Sequence, residues 1–132
     1  MGTQDFDGDG RPEIVVDPRD GATAHHVVLA RAFGCRVEPM RSPDGGALRL
    51  LAWQSSTGMP DAVVGTTCVD LDGDGRREVV EFTRSEQRRA YVAYRLPEGG
   101  SKLVAEVHSE AGGTWPAALT PEPGVRCGAF TY

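Results

Sequence analysis

The sequence predicts an all-β chain built from two tandem antiparallel sheet units of about four strands each. Three observations carry that expectation. The 132 residues include 17 glycines and nine prolines, a turn-rich composition that favours many short strands over long helices. The apolar runs are brief and rich in Val, Leu and aromatics, and each is bounded by Gly, Pro, Asp or Ser. Finally, "DFDGDGRPEIVV" (Asp5–Val16) returns 65 residues later as "DLDGDGRREVVE" (Asp70–Glu81), with eight of the first eleven positions identical.

The elements follow in order. "GTQ" precedes the first acidic segment as a short entering strand, and "DAVVGTTCV" precedes the second. After each acidic segment the runs correspond: "EIVVDP" with "EVVEFT", "HHVVLARAF" with "AYVAYRL", "ALRLLAWQ" with "SKLVAEVH". "SPDGG" (42–46) and "PEGG" (97–100) are turn signals between them. One unit therefore reads as strand, acidic loop, strand, strand, strand over about 60–65 residues, the scale of one blade in a radial repeat fold. The chain then reads as a single β domain of two repeats, about 1–60 and 61–132. "GVRCGAFTY" at the C-terminal side resembles an entering strand, and either begins a further unit or pairs back to close the domain. "VVLA" and "LRLLAW" are apolar on both faces, as suits strands sandwiched between neighbouring sheets.

Composition excludes several classes of function. The formal net charge is −5, and removing the eight carboxylates of the two acidic segments leaves +3. The acidity is thus concentrated in two clusters that repel phosphate, with no basic stripe to offset them, so nucleic acid is excluded as a partner. No apolar run reaches the roughly 20 residues of a membrane span, and "MGTQDFDGDG" lacks the basic and apolar regions of a signal peptide. Cys35, Cys68 and Cys127 form no CxxC pattern, which speaks against zinc. They allow one disulfide plus a free thiol, for which Cys35–Cys68 is the expected pair, or three reduced thiols.

The acidic segments carry the chemistry. Carboxylates at alternating positions of a tight turn repel one another unless a cation sits between them. An all-oxygen donor set suits Ca²⁺, which accepts six to eight oxygens at about 2.3–2.6 Å, whereas Mg²⁺ usually keeps several waters. The absence of thiolate and imidazole argues against zinc and copper. The expected ligands are the side chains of Asp5, Asp7, Asp9 and Glu13 with the backbone carbonyl of Arg11, and those of Asp70, Asp72, Asp74 and Glu78 with the carbonyl of Arg76. Gly8, Gly10, Gly73 and Gly75 allow the backbone to curl around the ion. An EF-hand reading fails on two counts. Strand-like residues flank both loops where helices are required, and the twelfth loop position is Glu81 in one copy but Val16 in the other. The same flanks exclude a helical, dockerin-like calcium module, and Glu81 is expected to be a solvated strand residue.

"DFDGDGRPEIVV" and "DLDGDGRREVVEF" resemble the calcium loops of FG-GAP repeats and of the related VCBS-type repeats, whose pattern is D-x-D-x-D-G-x-x-D/E followed by a strand. The resemblance is specific at residues 5–16 and 70–82. It implies blade architecture, hence a partial or atypical β-propeller, with two structural Ca²⁺ sites. It also implies an extracellular or cell-surface location, in adhesion or recognition of a protein or glycan ligand. Family propellers close with about seven blades, whereas this chain has two loops. A fragment of a longer propeller, a different pairing of the chain ends, or self-association each accommodates that departure.

Other residues have plainer readings. Adjacent His25 and His26 point to opposite faces of a strand and cannot share a metal; His108 stands alone. No G-x-S-x-G elbow surrounds Ser55, Ser56 or Thr57. Trp53 and Trp115 are expected as core anchors or edge covers, and Arg88–Arg89 as a solvated turn. The chain is therefore expected to be non-enzymatic, because carboxylates packed on one cation are held ionised. The alternative is an auxiliary or catalytic domain of a secreted carbohydrate-active enzyme, but Asp44, Asp61, Glu106 and Glu110 show no organised spacing for that role.

Overall fold

A computed structural model describes residues 2–18, 24–54, 62–85, 89–96, 104–109, 115–120, 122, 124–127 and 130–131. Among them there are two sheets and no helix, and so none long and apolar enough to cross a membrane. The first sheet holds β1 (Gly2–Gln4), β2 (Glu13–Val16), β3 (Ala24–Phe33), β4 (Arg36–Pro39) and β5 (Arg49–Gln54). The second holds β6 (Val63–Val69), β7 (Glu78–Arg84), β8 (Arg89–Arg95), β9 (Val104–Ser109), β10 (Gly124–Cys127) and β11 (Phe130–Thr131).

The first sheet has four columns, because β4 and β5 lie along one edge of β3. Pro39 pairs with Ala30, and Arg49 with Val28. Between them Met40 N–H donates to the Leu29 carbonyl at 2.7 Å, and Leu48 N–H donates to the Met40 carbonyl at 2.7 Å. The "SPDGG" turn is thus a side excursion closed by an Arg41–Ala47 bridge, after which the chain resumes the same column. In the second sheet β6, β7, β8 and β9 repeat this meander in the order in which they are written. The register repeats as well: Gln4 faces Glu13 as Val69 faces Glu78, and Val15 faces Leu29 as Val80 faces Ala93.

The C-terminal strands pair back. β10 adds to β6 in parallel, matching Gly124 with Gly65, and β11 adds to β10. Gly65 permits this approach, since a Cβ there would lie 2.6 Å from the Gly124 carbonyl oxygen. A Cys68–Cys127 disulfide joins the same two strands, and Cys35 is the free, exposed cysteine. The expected Cys35–Cys68 pair is therefore corrected. Cys127 reaches Cys68 through the parallel pairing of β10, while Cys35 sits in the β3–β4 turn.

The sheets pack head to tail. One face of the first sheet, with Phe6, Val15, Val27, Leu29 and Leu50, shares a buried cluster with Val79, Leu96, Val125 and Cys127 of the second. The second sheet's counterpart face carries Leu71, Val80, Tyr91 and Ala93, and the segment at Trp115 and Leu119 covers it. Trp115 meets Phe82 edge-on at 6.2 Å and stacks on Tyr91 at 6.0 Å, as an edge cover should. Full burial of a side chain such as Leu29 or Leu50 contributes roughly 1.5–3 kcal/mol, so the shared cluster is a principal source of cohesion between repeats.

Glu81 is not solvated. It is half-buried on β7, and its Oε1 accepts the Leu51 N–H of β5 at 2.9 Å, while Tyr94 supplies a second hydrogen bond. Thr66 Oγ1 donates to the Leu51 carbonyl at 3.2 Å. Side chains of the second sheet thus satisfy both backbone groups of Leu51, which would otherwise be stranded at the junction.

Candidate metal centre

Both acidic loops fold by the same local logic. In residues 5–13 the two Asp5 oxygens accept the N–H groups of Gly8 at 2.7 Å and Gly10 at 2.9 Å. Asp7 Oδ1 accepts Asp9 N–H at 3.1 Å, and Asp9 Oδ1 accepts Arg11 N–H at 2.7 Å. Glu13 Oε2 closes the loop by accepting Phe6 N–H at 2.9 Å. In residues 70–78 Asp70 accepts from Gly73 at 2.7 Å and Gly75 at 2.9 Å, Asp72 from Asp74 at 3.1 Å, and Asp74 from Arg76 at 2.8 Å. Glu78 Oε2 accepts Leu71 N–H at 2.9 Å. Gly10 and Gly75 take φ of +83° and +89°, a region costly for other L-residues.

This wrapping turns carboxylate oxygens toward a common centre. Ligand atoms of Asp5, Asp7 and Glu13 lie within 4.8 Å of one another, as do those of Asp70, Asp72 and Glu78. Each triplet could hold a metal ion, and the all-carboxylate donor set fits a hard divalent cation. Asp9 and Asp74 are not members of these triplets, and one oxygen of each is engaged by its own loop's backbone. Arg11 is exposed at the rim. Arg76, expected to offer only its carbonyl, sends its side chain into the other loop. Its Nη2 lies 3.3 Å from Asp7 Oδ2 and donates to the Leu96 carbonyl at 3.0 Å. Arg77 N–H donates to the Asp7 carbonyl at 3.1 Å, so the loops touch directly.

Sequence reasoning missed the cationic partners. Arg31 on β3 directs Nε and Nη2 onto Glu13 Oε1 at 3.1 and 2.6 Å, with Nη2 3.5 Å from Asp7. Arg95 on β8 repeats this on Glu78 Oε1 at 3.2 and 2.9 Å, with Nη2 2.6 Å from Asp72 and 3.2 Å from Asp74. The available signal was the repeat itself: "VLAR" and "VAYR" end at corresponding positions of the paired strands.

Electrostatics separate the loops. Burial pushes the Asp7 carboxyl above its ordinary pKa, aided by the Asp9 charge and opposed by Asp9 N–H, Arg31 and Arg76. Glu13 is raised in the same way, by burial first, against Phe6 N–H and Arg31. Burial acts to lower the Arg31 pKa, but the hydrogen bonds and charge of Glu13 outweigh it and hold the group above its usual value. Asp72, in contrast, is lowered, chiefly by its hydrogen bond from Arg95.

The remaining candidates do not join these centres. His25 Nε2 lies 3.0 Å from Asp17, and a register shift separates it from His26. Trp53, His108 and Glu106 are placed only as strand positions on β5 and β9. Ser55, Ser56, Thr57, Asp61, Arg88 and Glu110 lie outside the described residues, and Asp44 sits in the exposed turn beside Ser42. No family model, curated protein or solved structure matches the chain.

Proposed function

We propose that the chain is a non-enzymatic, calcium-binding β-repeat module of the FG-GAP/VCBS type. In this reading the ion is structural, holding each acidic turn so that the following strand starts in register. One observation carries it: two separate loops each bring three carboxylates within 4.8 Å, and in each the last carboxylate is the first residue of a strand. Glu13 opens β2 and Glu78 opens β7, so an ion bound there is coupled directly to sheet formation. Oxygen-only donors and a flexible ring of turn residues favour Ca²⁺ over Mg²⁺, which demands near-ideal octahedral geometry.

A role in extracellular recognition of a protein or glycan ligand follows from the same resemblance. The Cys68–Cys127 disulfide supports an oxidising compartment. Millimolar extracellular calcium suits sites of modest affinity.

Thermal unfolding of the calcium-loaded chain tests the reading. A ligand at a hundredfold excess over its Kd stabilises the fold by about 2.7 kcal/mol per site. EDTA is expected to lower the melting temperature, Ca²⁺ to restore it, and equimolar Mg²⁺ to restore it poorly. A melting curve indifferent to millimolar Ca²⁺ rejects the proposal.

A further inference from the structure

The large apolar side chains left in solvent gather on one hairpin. Every residue from Ala32 to Pro39 is exposed, so the tip formed by β3 and β4 stands clear of the core. Among the described residues the exposed large apolar side chains are Phe33 and Val37, at 37% and 58%, and both belong to this tip. β4 pairs with β3 alone, which leaves its other edge open among the described strands.

The ladder shows which backbone groups that edge presents. Met40 N–H donates to the Leu29 carbonyl at 2.7 Å, toward β3. Backbone groups alternate in direction along a strand of an antiparallel pair. Arg36 and Glu38 therefore turn theirs to β3, and Val37 turns its N–H and carbonyl outward. Pro39 has no N–H to offer, so the open edge is short and centred on Val37. An unpaired edge of this kind is a template for another strand. Opposite charges, Arg36 and Glu38, flank Val37 and share one face of the strand. Neither side chain is engaged by an ion pair or hydrogen bond among the described residues.

We propose that β4 is a dimerisation edge and that its occupant is β4 of a second copy of this chain, antiparallel about a two-fold axis through Val37. Charge selects the occupant. An antiparallel copy centred on Val37 sets Arg36 against the partner's Glu38 and Glu38 against the partner's Arg36, so the strand is its own complement. A slip of one residue loses both pairs. Val37 meets the partner's Val37 on the opposite face, and Phe33, paired with Arg36 across the hairpin, flanks the charges. The first sheets of two chains thereby join into one. The edge is consumed on both copies, so assembly through it stops at two. Cys35 falls opposite the partner's Pro39, which leaves the two thiols four residues apart along the pair, roughly 13 Å. That is too far for a disulfide, so the dimer is non-covalent. The inference stands whether or not the acidic loops hold calcium.

Sedimentation of the full chain carrying Cys35→Ser, which excludes chance disulfides, tests the assignment. The paired segment is far smaller than a standard interface, so a dissociation constant on the order of 100 μM is expected. Arg36→Glu makes both cross-strand pairs acidic, and Glu38→Arg makes both basic. Each variant alone should dimerise at least about tenfold more weakly than its parent. An equimolar mixture of the two should dimerise as the parent does, because the copies are then complementary. Both variants stay net negative, so general attraction does not account for such a gain, and damage to the fold does not produce it.

A parent chain still monomeric at about 1 mM overturns the proposal. Single variants that dimerise as tightly as the parent do the same, as does a mixture that associates no better than its components. Val37→Asp keeps both charges and sets two carboxylates face to face at the axis. It serves in place of any reversal variant that loses its strand spectrum by circular dichroism. It should weaken the dimer at least about tenfold, and unchanged affinity rejects the edge.

Discussion

The two acidic loops are the same backbone event carried out in different surroundings. Every Asp and Glu cap of loop one has its equivalent in loop two, at distances that agree within 0.1 Å. Their exposures nevertheless diverge, from 1% at Asp7 to 52% at Asp72. The cause lies in head-to-tail packing. Phe6 of loop one is fully buried in the cluster shared by both sheets, whereas its counterpart Leu71 is only partly buried beside Trp115 and Leu119. Repetition of sequence therefore fixes the local hydrogen bonds, and position within the fold sets the electrostatics. The same carboxylate is pushed up in pKa where burial dominates and pulled down where an arginine does.

The strongest way to break that comparison is to remove the closing glutamate from each loop. Losing one partner of a buried ion pair costs about 3–5 kcal/mol, and Glu13→Ala, which takes from the buried Arg31 its contacts at 3.1 and 2.6 Å and leaves it Asp7 at 3.5 Å, falls in that class. Glu78→Ala should cost less, about 1.5–3 kcal/mol, the range for a hydrogen bond to a charged group, because Arg95 can turn to water. Urea unfolding midpoints of the two variants decide the matter. Equal losses would mean that exposure of the arginine has no energetic meaning.

This difference between the loops could not be read from the sequence, while much of the rest could. The loops were legible because their bonds run between residues at most seven apart. The long strands were legible because "HHVVLARAF" and "DAVVGTTCV" have no competing helical period. β4, in contrast, is a four-residue, fully exposed edge segment, "RVEP", with one large apolar side chain. Nothing in such a segment distinguishes it from a loop. Arg31 and Arg95 lie 18 and 17 residues from their carboxylates, and a single arginine on a strand resembles any solvated residue. The Cys68–Cys127 pair depends on β10 returning in parallel beside β6, a long-range event with no local signal. Glu81 looked solvated because its partner Leu51 belongs to the other repeat.

A second comparison of the loops should give equality. Gly10 and Gly75 have φ of +83° and +89°, and a Cβ at either would meet nothing within 4 Å. The whole penalty of an alanine there is backbone strain, about 1–2 kcal/mol. Gly10→Ala and Gly75→Ala should therefore lower stability by the same amount, despite the different burial of their loops. A clear inequality in unfolding free energy would show that the two turns are not equivalent in conformation.

The smallest effect tests the position at which the repeats differ most in chemistry, Val16 in one and Glu81 in the other. Burial raises the Glu81 pKa above its ordinary 4.5, although Leu51 N–H and the Tyr94 hydroxyl draw it down. Burial, followed by the Glu81 charge, pushes Tyr94 up to about 12. The raised Glu81 value means that the folded chain holds this proton more tightly than the unfolded chain. Its contribution to stability is therefore fully present below the unfolded value and is lost as pH rises through the folded one. Glu81→Gln keeps an acceptor for Leu51 N–H but cannot ionise. Its stability relative to the wild type should rise from about pH 4.5 upward and then level off once Glu81 is ionised. The difference between the two curves cancels Asp7 and Glu13, which are raised in both. Urea unfolding of both chains between pH 4 and pH 8 makes the measurement, and parallel curves would mean that Glu81 carries the same proton affinity folded as unfolded. The Tyr94 contribution is separable by range, because it is present below the ordinary phenol value of about 10 and is lost only as pH passes through the raised one.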